Sequence, residues 1–195
     1  MSTVRLANAG DLIRVCRTAV HAFVDDPVMR WFWPTDEEYL AGEGATMHSF
    51  MRRWLAHGAT YTTDDCVAVA AFVPPGRPEV EVEPAPDALP ASDELLAKFV
   101  AVGTSMAEHT PAEPHWYLNL LATHPHWQGQ GLGALVMGPI VDVCDREILP
   151  MYLETETVKN IAYYSHLGFV VRSEWDVPLD GPHMWGMIRP PQERV

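Results

Sequence analysis

WYLNLLATHPHWQGQGLGA, the stretch from Trp116 to Ala134, carries the strongest structural signal in the chain. Its first part, 116–122, is a short apolar run that contains aromatic residues, which predicts a buried strand. After a break at His124-Pro125, the glycines of residues 128–133 lead directly into a predicted helix. Glycines let the backbone turn tightly, and the N–H groups at a helix N-terminus can point together at one anion. The stretch therefore predicts a strand, a glycine loop and a helix that together bind a phosphate group.

The composition is that of a globular protein. The chain has 195 residues, of which 48% are hydrophobic and 20% are charged, and this predicts a single domain over residues 1–195. The formal net charge is −13. Such a charge repels nucleic acid and anionic lipid, so we expect neither nucleic acid nor a membrane as a partner. A cationic substrate would be tolerated or attracted, whereas an anionic cofactor must be held by local N–H groups.

The cysteines and histidines predict neither a disulfide nor a metal. Cys16, Cys66 and Cys144 are odd in number and far apart, and each lies in an apolar pattern typical of a small core residue. His124 and His126 flank a proline without further ligands nearby, so we expect no metal site. No apolar run reaches membrane-spanning length, and the first residues lack a signal-peptide core. We therefore expect a cytoplasmic protein.

Hydrophobic periodicity and turn residues predict the other elements. The predicted helices are one that starts at Asn8 or Asp11 and stops near Asp25, one or two over 36–57, one over 92–106, one from the glycine loop to about Ile148, and one over 160–166. The predicted strands are 4–7, a hairpin over 60–73, 152–155, 169–171 and 183–188. Residues 76–90 are rich in proline and acidic residues and predict a loop. Trp31-Phe32-Trp33 is expected in a connector, where it either lines a ligand pocket or caps the core.

Two nucleotide-binding alternatives follow from the glycines. Gly129 to Ala134 satisfies the dinucleotide pattern GxGxxG/A, and Glu154 lies at about the right distance to bind a ribose. However, His124 to Gln128 separate the first glycine from the end of the strand, and only two short strand segments follow. Both features disfavour a Rossmann domain. A P-loop is excluded more firmly, because no Lys-Ser or Lys-Thr follows the glycines.

Two spaced motifs resemble those of a known family. The first is Gln-x-x-Gly-x-Gly at residues 128–133, and the second is Asn-x-x-x-Tyr-x-x-x-Gly-Phe at residues 160–169. In this order they resemble the pyrophosphate loop and the second marker of the GNAT superfamily of N-acetyltransferases. Within it, residues 115–118, 153–155 and 176–182 look most similar to puromycin N-acetyltransferase-like proteins. The resemblance is specific over about residues 115–189 and vague between 24 and 112.

The resemblance implies an α/β (α+β) fold, the single-domain GNAT fold. Its central sheet is mixed and mostly antiparallel, has helices on both faces, and has central strands that splay apart to admit acetyl-CoA, the acyl-donor cosubstrate. The backbone of Leu121, Ala122 and Thr123 would pair with the pantetheine amides and supply the expected oxyanion donor, and Asn160 would contact the pantetheine arm. The pyrophosphate would be held by backbone N–H groups of Gln128, Gly129, Gln130, Gly131, Leu132, Gly133 and Ala134.

Acetyl transfer to an amine needs a neutral amine, a stabilised carbonyl oxygen and a proton for the leaving thiolate. The resemblance puts Tyr164 near the CoA sulfur, and a tyrosine is a neutral O–H donor at pH 7, so Tyr164 is the predicted general acid. Tyr163 is the expected core aromatic of the same helix. Glu154, an acidic residue in an apolar strand, is the first candidate for the general base, and His115 and His183 are weaker ones.

The sequence thus predicts an N-acetyltransferase that moves an acetyl group from acetyl-CoA to a primary amine of a small molecule. Transfer is expected to be direct, within a ternary complex, in a monomer or a homodimer. The acidic balance and the Trp31-Phe32-Trp33 cluster favour a hydrophobic acceptor that is cationic until deprotonated. Two alternatives remain: a non-catalytic CoA-binding sensor or interaction module on the same fold, and a nucleotide-binding oxidoreductase that rests on the glycine pattern alone.

Overall fold

A computed structural model describes residues 2–76 and 92–192, which form a seven-stranded sheet flanked by helices. The strands are β1 (Val4–Leu6), β2 (Thr60–Thr63), β3 (Ala68–Val73), β4 (Trp116–Thr123), β5 (Met151–Thr155), β6 (Val170–Asp176) and β7 (His183–Arg189). The α-helices are α1 (Leu12–Ala22), α2 (Pro27–Phe32), α3 (Asp36–Ala56), α4 (Asp93–His109), α5 (Leu132–Glu147) and α6 (Val158–His166). Apart from its first residue, the predicted 76–90 loop lies outside the described residues.

The sheet order is β1-β2-β3-β4-β5-β7-β6. Every neighbouring pair is antiparallel except β4 and β5, which run parallel. The predicted mixed, mostly antiparallel sheet is therefore confirmed. A Rossmann domain needs a parallel sheet built from successive strand–helix–strand units, so the dinucleotide alternative does not fit this topology.

Helices cover both faces of the sheet because its central strands are apolar on both sides. Every residue of β3 except Val73 is fully buried. Ala68, Ala70 and Phe72 pack with the buried face of α5, while Val69 and Ala71 pack with α1 and α3. The small alanines allow the helices to approach closely, and this double burial fixes β3 and β4 in the middle of the molecule.

The aromatic cluster at residues 31–33 differs from the expected connector. Asp26 caps α2, because its Oδ1 accepts hydrogen bonds from the N–H groups of Val28 and Met29 at 3.0 Å each, and Pro27 provides a favourable first helical residue. Trp31 and Phe32 thus belong to a short helix. The ring of Phe32 packs against Phe99 of α4 with centroids 4.4 Å apart. The aromatic run joins α2 to α4 over one end of the sheet.

Candidate active site

The sheet opens between its two central strands. β4 and β5 pair only at Trp116 with Met151 and at Tyr117 with Tyr152. Beyond these positions β4 continues as a partner of β3, whereas β5 continues as a partner of β7. The two strands therefore diverge, as the splayed strands of the prediction require, and their facing edges keep free N–H and C=O groups that can pair with an extended ligand.

A bulge in β4 lies at the start of this opening. Phe72 pairs with Leu118 and Ala71 pairs with Leu120, so Asn119 is an extra residue without a partner of its own. A bulge frees backbone groups from the ladder and re-aims them. Asn119 lines the cavity between the strands, so its free backbone groups are a second candidate for the oxyanion donor, beside Leu121 to Thr123. The sequence alone gave no sign of this bulge.

The glycine loop ends at the N-terminus of α5, as predicted. Gly129 and Gly131 both have a φ of +76°, in the left-handed region that favours glycine. Gly131 is the N-cap of α5, and a Cβ added to it would meet open space. The side chain of Gln128 donates a hydrogen bond to the carbonyl oxygen of Thr123 at 3.1 Å, which ties the loop to the end of β4. The first N–H groups of α5 have no intrahelical partner, so the exposed loop and helix end have the geometry that suits an anion.

A cavity of about 460 Å³ extends from this opening towards α2, α3 and α4. It brings together four predicted site residues, Leu121, Glu154, Asn160 and Tyr164. The side chain of Ala122 points instead into the core beneath α1 and α3, and the glycine loop lies outside the lining. The aromatic walls of the cavity are formed by Phe23, Phe32, Phe50, Trp54, Phe99 and Tyr117.

Glu154 lies at the open end of β5, on the cavity wall. The hydroxyl of Tyr117 donates a hydrogen bond to its Oε2 at 2.6 Å, while its Oε1 is buried and has no hydrogen-bond partner in the described residues. Burial raises the pKa of Glu154 from 4.5 to about 7, although the hydrogen bond from Tyr117 opposes the shift. A carboxyl group with such a pKa can accept a proton at neutral pH.

Tyr164, rather than Tyr163, is the core aromatic residue of α6. Thr157 caps α6 through a hydrogen bond from the N–H of Asn160, and the helix turns Tyr164 inward, where it is 8% exposed and its ring packs edge-on against Phe169. Tyr163 was expected to be the core aromatic; this is wrong, because it is 38% exposed. Tyr164 is both a core residue and part of the cavity wall. Burial and the nearby Glu156 raise its pKa, so it stays protonated at neutral pH.

Three further carboxyl groups line the cavity, and the sequence analysis did not single them out. They are Asp26 of the α2 cap, Glu43 of α3, and Glu156 after β5. Asp26 and Glu156 share a hydrogen bond, and burial raises the pKa of both, which is the behaviour of two carboxyl groups that hold one proton. The cavity is therefore acidic as well as aromatic. These residues lie far apart in the chain, so no local motif could reveal them.

The histidine candidates for the base lie elsewhere. His115 hydrogen-bonds the carbonyl oxygen of Glu113, and His183 hydrogen-bonds Asp176; neither lines the cavity. Across residues 2–76 and 92–192, no three His, Cys, Asp or Glu side chains are grouped so that they could hold a metal ion. In the same residues, none of the helices combines the length and the apolar character needed to cross a bilayer.

The antiparallel sheet, the diverging central strands and the glycine loop before α5 define the class: this is the fold of GNAT acetyltransferases. The family model described as acetyltransferase (GNAT) domain matches residues 94–171. A curated relative, the uncharacterized N-acetyltransferase C550.08 of Schizosaccharomyces pombe, is 36% identical over 84 residues. The match covers 40% of this chain and only 32% of that protein, so the chain spans about a third of the relative's length.

Solved structures show the same fold over nearly the whole chain. One, described as histone acetyltransferase HPA2 and related acetyltransferase, is from Corynebacterium glutamicum and has a TM-score of 0.72 at 23% identity, covering 100% of this chain and 98% of its own. Arylalkylamine N-acetyltransferase 2 of Aedes aegypti has a TM-score of 0.68 at 13% identity, covering 98% and 99%. The GNAT fold predicted from the sequence is thus confirmed. The narrower resemblance to puromycin N-acetyltransferases is not shown by these matches and stays a prediction.

Proposed function

We propose that the protein is an acetyl-CoA-dependent N-acetyltransferase for a primary amine of a small molecule, with direct transfer in a ternary complex. One observation carries the proposal: a single cavity runs from the opened edge of β4 and Tyr164 to the buried carboxyl group of Glu154. The first side fits a thioester donor, and the second fits an amine. A cavity that connects the two permits direct transfer without a covalent acetyl-enzyme.

The residues present fit acetyl-CoA, which supplies an activated acetyl group. The left-handed Gly131 and the free N–H groups at the start of α5 suit a pyrophosphate, and the open space before Gly131 leaves room for it. The unpaired edge of β4 at Leu121 to Thr123 suits the amide groups of an extended pantetheine arm. Asn160 lines the same cavity and offers an amide side chain to that arm.

Glu154 is the proposed general base. The amine enters as an ammonium ion and must lose a proton before its nitrogen attacks the thioester carbonyl carbon. With a pKa of about 7, Glu154 accepts this proton directly or through a water molecule. The hydrogen bond from Tyr117 holds the carboxylate in place at the end of β5.

Tyr164 is the proposed general acid. As the new C–N bond forms and the C–S bond breaks, the departing thiolate needs a proton. Because burial keeps the phenol of Tyr164 protonated, its hydroxyl is available as that donor. The nitrogen loses two protons between the ammonium ion and the amide. Glu154 accepts the first, and the second restores the hydroxyl of Tyr164 after that hydroxyl has protonated the thiolate.

The acceptor fits a cationic amine with apolar parts, because the cavity combines aromatic walls with carboxyl groups. The Aedes aegypti protein, whose name describes an arylalkylamine N-acetyltransferase, shares the fold and lends support. A cytoplasmic location, one domain over residues 1–195, a monomeric or homodimeric state, and the absence of nucleic-acid and membrane partners stay predictions.

Replacement of Tyr164 by Phe tests the proposal. We expect kcat, measured by thiol release with a primary amine, to fall about 100-fold or more, because general-acid catalysis contributes on that scale. Acetyl-CoA affinity should stay within a factor of about two, since the ring remains. Tyr61→Phe, which removes a hydroxyl from a half-buried ring on β2 outside the cavity lining, is the matched control and should keep its turnover. Unchanged kcat in Tyr164→Phe would remove this residue as the acid, and a wild type that binds CoA but acetylates no amine would favour the non-catalytic module.

A further inference from the structure

Glu43 is a buried carboxyl group without a structural partner in the described residues. It lies in the middle of α3, is 1% exposed and lines the cavity. Both of its carboxyl oxygens are buried, and neither has a hydrogen-bond partner within residues 2–76 and 92–192. A buried carboxyl group normally costs several kcal/mol unless it is paired. The packing of the folded protein therefore does not explain why a carboxyl group is buried at this position.

Among residues 2–76 and 92–192, the groups that act on Glu43 supply no compensating positive charge. The titratable neighbours that act on it or respond to it are Asp26, Cys16 and Tyr39. Of these, Asp26 makes the cost of a negative charge greater. Arg53 also lines the cavity, but it lies ten residues further along α3, about 15 Å along the axis of the helix.

A row of carboxyl groups connects Glu43 to the reaction centre. Glu43 is next to Asp26, Asp26 shares a hydrogen bond with Glu156, and Glu156 is influenced by Glu154. No such influence links Glu43 directly to Glu154. Glu43 on α3 and Glu154 on β5 therefore line different walls of the same cavity.

We propose that the acceptor is a diamine-like dication, in which one amine reacts beside Glu154 while a second ammonium group binds Glu43 on the α3 wall of the cavity. This rests on the proposed function, since it identifies the acceptor of the same site. An ammonium ion supplies the hydrogen-bond donors that both oxygens of Glu43 lack, and its positive charge offsets the repulsion between Glu43 and Asp26. The aromatic side chains that line the cavity suit an apolar spacer, and they favour cations.

The test compares acceptors that differ only in the second ammonium group. The probes are p-xylylenediamine with 4-methylbenzylamine as its matched monoamine, and α,ω-diaminoalkanes of increasing length with the corresponding 1-aminoalkanes. Binding is measured by titration calorimetry with acetyl-CoA absent, and kcat/KM by thiol release. For the best spacer we expect the diamine to be preferred about 10- to 100-fold over its monoamine, the range of a buried charge-assisted hydrogen bond.

Glu43→Gln should abolish that preference by weakening the diamine while leaving the monoamine within about twofold. Glu37→Gln, an exposed carboxylate on the same helix, is the control and should keep the preference. Glu43→Asp retains the carboxyl group on a side chain that is one methylene shorter. It should therefore keep the preference for the diamine over the monoamine, with a longer optimal spacer. Each variant must melt cooperatively; if Glu43→Gln does not, Glu43→Asp decides through the spacer shift.

Equal binding of diamine and monoamine across the whole series, or a preference that Glu43→Gln leaves intact, would overturn the second site. Failure of the proposed function is distinguishable from this outcome. If diamines bind preferentially and depend on Glu43 but no amine is acetylated, the cation site stands and the acetyltransferase proposal falls. If monoamines and diamines are acetylated equally well, the acetyltransferase stands and the dication site falls.

Discussion

Glu43→Gln should stabilise the ligand-free protein, and increasingly so as the pH rises. Burial, and then the nearby Asp26, raise the pKa of Glu43 from 4.5 to about 8. Between pH 4.5 and about 8 the folded state holds a proton on Glu43 that the unfolded chain has released. The contribution of Glu43 to stability therefore falls as the pH rises through this range, and it levels off above about pH 8. At pH 7 the free energy of unfolding should therefore be about 3 kcal/mol lower for the wild type than for a variant with a neutral side chain at this position. Gln has the shape of protonated Glu and a similar helix propensity, so the two proteins should be nearly equal near pH 4.5.

The assay is thermal and urea unfolding of the wild type and Glu43→Gln at several values of pH from about 4.5 to 8. For a chain of this size, about 3 kcal/mol corresponds to a melting temperature about 6–12 °C higher in the variant at pH 7. The shared proton of Asp26 and Glu156 titrates in both proteins, so the difference between them isolates Glu43 and its coupling to Asp26. Glu37→Gln serves as the exposed control and should show no such trend. A constant difference across the pH range, or a variant less stable at pH 7, would refute the assignment of Glu43 as an uncompensated buried acid.

Three other predictions concern the donor site, the base and the framework. Gly131→Val places a β-branched residue at a φ of +76°, with its Cβ in the open space before the loop. Calorimetry should therefore show that the affinity for acetyl-CoA falls by more than about tenfold. The control Gly138→Ala, inside α5, should bind acetyl-CoA normally, and equal affinities of the two variants would contradict the loop assignment. The activity of the wild type should rise near pH 7 as Glu154 ionises. Glu154→Gln should lower kcat/KM and remove this rise from the pH–rate profile. If the rise persists in the variant, another group is the base. Arg189→Ala removes both charge-assisted hydrogen bonds to Asp145, at 2.7 and 3.0 Å. The free energy of unfolding in urea should fall by about 3 kcal/mol. A decrease below about 1 kcal/mol would show that the ion pair is not important for stability.

The elements around the donor site are predictable from sequence because their signals are local. The apolar run of 116–122, the glycines of 129–133 and the motif of 160–169 each depend on residues that lie close together in the chain. Their positions agree with the observed β4, the start of α5 and α6. The fold then follows from the order and spacing of the two motifs, which the matched acetyltransferase (GNAT) domain also spans.

The three acids on the proposed acceptor side could not be predicted individually, because they lie on distant segments of the chain. Asp26 precedes a short helix, Glu43 stands between two glycines within a long one, and Glu156 follows β5, yet all three line one cavity. Each resembles an ordinary surface acid in the sequence, since burial is a tertiary property. The inward turn of Tyr164 rather than Tyr163 likewise depends on how α6 docks on the sheet.

The bulge at Asn119 illustrates the same limit. Periodicity predicts a strand over 116–122 but not the extra residue within it, because the bulge is defined by the register with β3. The bulge and the divergence of β4 from β5 create the opening in which we propose that the cosubstrate binds.

The most direct test of the central claim is a thermal-shift titration of the wild type and Gly131→Val with acetyl-CoA, CoA and NADPH side by side. A ligand at about 100 times its dissociation constant stabilises the folded state by about 2.7 kcal/mol, which for this chain length is about 5–11 °C. The account predicts that both CoA species raise the melting temperature of the wild type, that NADPH does not, and that Gly131→Val loses the response. A shift with NADPH alone, or no shift with either CoA species, would contradict the acetyltransferase proposal.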